Sequence, residues 1–168
     1  MKTIDEKTTK ALRRLVIINN DRFEGYQDAA KHAEDSDLKT LFEKYSLQSK
    51  KFGNEIEMII PDLSDDTPTS EETKNSGKLF RTWMEIKDNL APNNRKAVLA
   101  SCEFGEDAAK KEYDRVLEDT EDLDPEAVTL IRRQRTELQE AHDKIKPMRC
   151  RSEFFTDEEK LFERSIFL

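Results

Sequence analysis

Apolar residues in the first third of the chain recur in alternating steps of four and three. Leu12, Val16, Phe23, Ala30 and Ala33 fall on one seam, with Asn19 and Tyr26 in its two remaining positions. This spacing predicts an amphipathic helix from about Ile4 to about Ala33. Gly25 inside it costs about 1 kcal/mol relative to alanine, which predicts the close approach of a neighbouring helix. Residues 34–37 break the pattern, and Ser36 or Asp35 can cap the next helix. The second helix runs from about Asp37 to Ile60. Its seam is Leu38, Phe42, Tyr45, Phe52, Ile56 and Ile59, with Leu41 and Gln48 beside it. Pro61 stops it. Two long helices joined by so short a break lie antiparallel.

Residues 61–76 carry no apolar period and read as an exposed loop. Leu79, Phe80, Trp83, Met84, Ile86 and Leu90 then predict a short, strongly apolar helix over residues 77–90. Pro92 ends it. A third long helix is predicted from about Asn94 to Glu118, on a seam of Leu99, Cys102, Glu106, Ala109, Tyr113 and Val116. A fourth opens at Pro125, where the missing N–H costs nothing. It carries Val128, Ile131, Gln134, Leu138, Ala141, His142 and Ile145, and Pro147 is expected to close it.

The expected fold is therefore all-α: a four-helix bundle of two antiparallel pairs, joined by a crossover of some thirty residues that holds the short helix. A link that long can return the chain from one end of a bundle to the other, as in the ferritin-like arrangement. Residues 1–147 form the expected bundle. Residues 148–168 form a distinct apolar tail, with a capping-box pattern at Thr156–Glu159 and a short helix after it.

Composition narrows the function. Of 168 residues, 29 are Lys or Arg and 37 are Asp or Glu, a net charge of −8. That balance opposes a nucleic-acid partner, which requires a basic face, and a protein held on anionic lipid. The longest apolar run, residues 15–18, is too short to span a bilayer. The first fifteen residues lack the apolar core of a signal peptide, so a cytoplasmic location is expected. Two cysteines exclude a disulfide scaffold.

Five segments together resemble a known family. They are FEGYQDAA, LFEKYSLQSKKFGNEI, SGKLFRTWMEIK, CEFGEDAAKKEYDRVL and AHDKI, in that order. Their order and spacing resemble a family of bacterial ferritin-like four-helix-bundle proteins of unknown function, over roughly residues 8–149. The resemblance implies a ferritin-like bundle, gives no established activity, and carries an association with stress for some members.

A di-iron bundle needs one Glu on each of two helices and Glu-x-x-His on each of the other two. Here the first helix offers Asn19, and the second offers Gln48 where Glu is required. The third offers Glu106, and the fourth Gln139-Glu-Ala-His142. Only Glu106 and His142 match, and uncharged amides do not offset a cation. Two readings stay open. In the first, Asn19, Gln48, Glu106 and His142 form a buried hydrogen-bonded cluster that sets helix register. The bundle is then non-catalytic, needs no cofactor and acts through association. A structural cluster of this kind also predicts that Glu106→Gln costs little. In the second, Glu103, Glu106 and His142 hold iron or manganese in an oxidoreductase or iron-handling protein.

The tail bears on association. Phe154, Phe155, Leu161, Phe162, Ile166, Phe167 and Leu168 are expected to dock, either on the same bundle or on another subunit, which makes a homo-oligomer or a protein partner the expected associate. Cys102 is expected to pack in the core, and Cys150, between Arg149 and Arg151, is the more reactive thiol.

Overall fold

The computed structural model describes residues 4–61, 77–89 and 95–166, with side chains up to residue 152 except at 87 and 89. Among these residues the chain forms five helices and no strand. They are α1 (Glu6–His32), α2 (Ser36–Glu57), α3 (Lys78–Asn89), α4 (Arg95–Glu118) and α5 (Pro125–Ile166). The expected loop at residues 62–76 and the break at Pro92 lie outside the described residues.

Side-chain pairs fix the helix directions. Along α1 and α4, Lys7 meets Asp119 and Arg22 meets Glu106, so these helices are antiparallel. Along α2 and α5, Gln48 meets Glu137 and Glu55 meets Arg133. Along α4 and α5, Asp114 meets Arg135, Asp107 meets His142 and Glu103 meets Arg149. Both α2 and α4 therefore run the same way, and the chain between them returns along the bundle. Arg95 pins the start of α4 beside the start of α2, through Asp35 at 2.6 Å and Asp37 at 3.2 Å. Asp35 thus stands at the N-cap position of α2 but makes no side-chain cap bond. Asp5 does cap α1, accepting from Thr8 N–H at 2.6 Å.

The core has two apolar halves. One gathers Tyr26, Phe42, Trp83, Leu99, Cys102 and Ile145; the other gathers Leu12, Leu15, Phe52, Ile56, Tyr113 and Leu138. Polar side chains of all four long helices lie between them. The buried face of α1 is turned slightly from the expected seam. Leu15 and Arg22 are fully buried, whereas Val16 and Phe23 are only half-buried. The face follows Leu12, Leu15, Asn19, Arg22, Tyr26 and Ala29, still in threes and fours, and one of its members is charged.

Helix α3 packs on α1 and α4. Its Trp83 is wholly buried, with the indole between Gly25 and Gly105 and Nε1 donating to Ser101 Oγ at 3.1 Å. The close neighbour expected at Gly25 is this ring. Helix α3 is also held at its start by α1. The Asp21 carboxylate, itself buried, accepts from the backbone N–H of Gly77 at 3.0 Å and of Leu79 at 3.2 Å. Those groups have no partner within the helix, and a carboxylate there suits the positive end of the helix dipole. Gly77, at φ +77°, supplies the left-handed turn into α3.

Pro147 does not end α5, which passes through it to Ile166. A proline inside a helix removes one backbone hydrogen bond. Contacts on both sides keep the chain on its course: Ile145 is buried in the core, Met148 packs against the same cluster, and Arg149 pairs with Glu103. Thr156 accordingly lies within α5 and starts no separate helix.

Candidate functional site: a buried ion pair in the bundle interior

The interior polar layer is built around Arg22. Its guanidinium and the Glu106 carboxylate are both fully buried and 2.6 Å apart. Arg22 Nε and Nη2 both donate to Glu106 Oε1, at 3.0 and 2.6 Å. Nη1 donates to Ser49 Oγ at 2.7 Å and Nη2 to Gln48 Oε1 at 2.9 Å. The Tyr26 hydroxyl also donates to Glu106 Oε1. Three donors thus converge on one carboxylate oxygen. Burial works against the charge on Arg22, but the Glu106 carboxylate beside it outweighs that, and the guanidinium is held above its ordinary pKa. Burial also pushes the Tyr26 hydroxyl well above the tyrosine range, helped by the Glu106 charge. Both side chains keep their protons at any physiological pH.

A second rung lies one helical turn away. Asn19 Nδ2 donates to the Leu15 carbonyl and to the Tyr113 hydroxyl, both at 2.8 Å. Tyr113 donates onward to Gln134 Oε1 at 2.6 Å, and Gln134 Nε2 donates to Glu55 at 2.8 Å. Burial raises the Tyr113 pKa, so this hydroxyl also remains a donor.

The structure brings Gln48 and Glu106 together on Arg22, and places Asn19 in the adjacent rung. His142 belongs to neither. It sits between α4 and α5, near the protein surface, with Nε2 3.2 Å from Asp107 and Nδ1 3.1 Å from Asp143. Glu103, Asp107 and His142 bring one ligand atom each within 4.8 Å of one another. The carboxylate beside His142 is therefore Asp107, not the expected Glu106, which faces the interior. Cations already occupy this surface group: Arg149 pairs with Glu103, and Lys110 lies 3.2 Å from Asp107.

The interior does not fit a di-metal centre. Among the described residues the carboxylate at its centre, Glu106, is held by a buried guanidinium, whose charge repels a metal ion, and the groups around that pair are amides and hydroxyls. Sequence reasoning missed Arg22 because arginine is almost never fully buried, so its i, i+3 spacing from Asn19 carried no weight against its type. The spacing was the available signal, since Arg22 falls three residues from Asn19 and four from Tyr26. Cys102 is buried in the core and Cys150 is half-buried.

These features define a class: an all-α helical bundle whose interior holds a hydrogen-bonded ion pair. The chain belongs to the DUF2383 family, a domain of unknown function, whose model matches residues 7–119. That span holds α1 to α4, with Arg22, Tyr26, Trp83, Gly105 and Glu106, and leaves out α5, short of the extent to about residue 149 that the sequence resemblance leads one to expect. No protein of curated function matches the chain. No helix among the described residues is long and apolar enough to cross a membrane.

Proposed function

We propose that this protein is a non-catalytic bundle of ferritin-like topology that acts by associating with a second copy of itself or with another protein. In this reading the Arg22–Glu106 layer is structural, and the C-terminal part of α5 makes the contact. The observation that carries the reading is the length of α5. At 42 residues it extends about 63 Å, against about 36 Å for the 24 residues of α4 beside it. Continuing the register of the Asp107–His142 and Glu103–Arg149 pairs brings Arg95, the first residue of α4, level with about residue 155 of α5. The last turns of α5 then run beyond the start of α4.

The sequence of this stretch contains Phe154, Phe155, Leu161, Phe162 and Ile166. Their side chains, and the whole of Phe167 and Leu168, lie outside the described residues. An unbroken helix cannot fold back onto its own bundle, which favours another molecule as the partner. An apolar helix laid in a groove or against a like helix is a common mode of association.

Deleting residues 152–168 and measuring mass in solution and thermal stability tests the reading. A lower mass with an unchanged melting temperature supports contact between subunits. A lower melting temperature at constant mass assigns the tail to its own bundle, and no change in either refutes docking. The competing reading, iron or manganese on Glu103, Asp107 and His142, is tested by metal analysis of protein purified without chelator. Near-stoichiometric metal lost in His142→Ala would establish it.

A further inference from the structure

A groove of about 530 Å³ runs between α1 and α2, on the side of the pair turned away from the core. Phe23 and Leu47 supply its apolar walls, and the buried Ala30 lies beneath them. Leu47 is 68 % exposed, and it and Met58 are the exposed large apolar side chains among the described residues. A lone surface leucine needs no explanation, but this one shares a concave site with a half-buried phenylalanine. Lys31, Lys39 and Glu43 stand exposed around it. Neither lysine makes an ion pair among the described residues. Lys50 adds a third cation, its Nζ 5.8 Å from the centre of the Phe23 ring. The groove is thus apolar within and net positive at its edge, on a chain whose net charge is −8.

The sequence of the last turns of α5 has the opposite character. Residues 153–168 hold five acidic side chains against two basic ones. In helical spacing Phe154, Phe155, Leu161 and Phe162 all fall three or four residues from Glu158, so a single acid interrupts an apolar stripe. A wholly apolar groove would bury that carboxylate without a partner, at a high cost. A groove with cations beside its apolar walls accepts it. The lengths agree as well, since Phe154 to Phe162 and Phe23 to Lys31 each span about 12 Å along a helix.

We propose that the last turns of α5 seat in the α1–α2 groove of a second copy of this chain, with the apolar stripe against Phe23 and Leu47 and Glu158 facing Lys31 and Lys39. The inference rests on the reading of α5 as the element of association, and adds the surface that receives it. The direction of the chain supports a second copy. Arg95 pairs with Asp35 and Asp37, so the turn between α1 and α2 lies at the level where α5 reaches about residue 155. Beyond that level an unbroken α5 travels away from its own groove. A copy that meets it end to end presents the same groove, with Lys31 and Lys39 nearest and Phe23 farther along the path. A two-fold axis then places each tail in the other's groove, giving two identical contacts.

Charge reversal on the full chain tests this, with mass read by sedimentation equilibrium. The parent is expected to dimerise, and a parent that stays monomeric overturns the proposal. Lys31→Glu with Lys39→Glu sets acid against acid and is expected to weaken the dimer about tenfold or more. Glu158→Lys with Glu159→Lys is expected to do the same from the other side. An equimolar mixture of the two variants restores both pairings in a mixed dimer, so its mass is expected to recover. Failure to recover in the mixture overturns the exchange of tails. Leu47→Glu, at an exposed position, disrupts the groove independently and is expected to lower the mass too. If deleting residues 152–168 lowers the mass but neither groove variant does, the groove is refuted while association through α5 stands. If the deletion leaves the mass unchanged, both fall.

Discussion

Gly105→Ala tests how α3 is fixed to the bundle. A methyl on Gly105 would fall inside the contact envelope of the Trp83 ring, at Cζ3, Cε3 and Cη2. The ring cannot retreat, because a glycine faces it on the other side as well. A methyl on Gly25 would already lie 2.7 Å from Trp83 Cε3. Alanine gains about 1 kcal/mol of helix propensity over glycine. Against this, forcing extra volume into a filled core costs roughly 1–3 kcal/mol even where neighbours yield. Expelling the indole instead gives up some 150–250 Å² of burial, or about 4–6 kcal/mol at ~25 cal/mol/Å². It also breaks the hydrogen bond to Ser101, worth about 1 kcal/mol. The net expectation is a destabilisation of about 0–2 kcal/mol if the neighbours yield and about 4–6 kcal/mol if the indole is expelled. Urea unfolding followed by tryptophan fluorescence reads it directly, because Trp83 is the one tryptophan in the chain. In a Trp83→Ala background the clash is gone, and Gly105→Ala is expected to be neutral or to stabilise by up to about 1 kcal/mol. A Gly105→Ala protein with the parent's midpoint and emission maximum would refute the account of the slot.

The buried pair and the α3 anchor give three further predictions. Glu106→Gln, which the sequence alone marks as mild, is expected to cost about 3–5 kcal/mol, because it leaves the Arg22 charge buried without its partner. Arg22→Met with Glu106→Leu should be much less harmful than the sum of the single changes, and additive losses in urea unfolding would show that the two side chains do not act as a pair. Burial raises the Asp21 carboxyl to about 6, against the backbone N–H groups of α3 that lower it. Since its value is 3.8 in an unperturbed chain, the folded protein binds a proton at Asp21 between about pH 6 and 4 that the unfolded chain does not. Asp21 therefore makes acidification from pH 7 to 4 stabilising. The parent's stability relative to Asp21→Asn should rise over that window, and a difference that is flat or falls would contradict the assignment.

How much of this was legible in the sequence depends on the kind of interaction. Helix identity and extent were open to reading because amphipathic periodicity is local: α1, α2, α3 and α4 each lie within a few residues of the spacing that predicts them. Gly25 was legible for a related reason, since a glycine that weakens a helix implies something pressed against it. The rest depended on tertiary contacts. Pro147 is a stop signal by its own chemistry, but Met148 and Arg149 carry the helix past it by packing on the core and pairing with Glu103. Arg22 reads as a surface residue by type, and only the facing Glu106, eighty-four positions away, makes its burial tolerable. His142 reads as a partner of Glu106 because both fall on seams, yet a seam is wide enough to face two directions, and the packing of α4 on α5 turns His142 toward Asp107. Local pattern determined which residues form helices and roughly which side of each is apolar. The pairing of polar groups across helices was decided by rotation of each helix about its axis, and that angle is set by the summed contacts of the folded bundle.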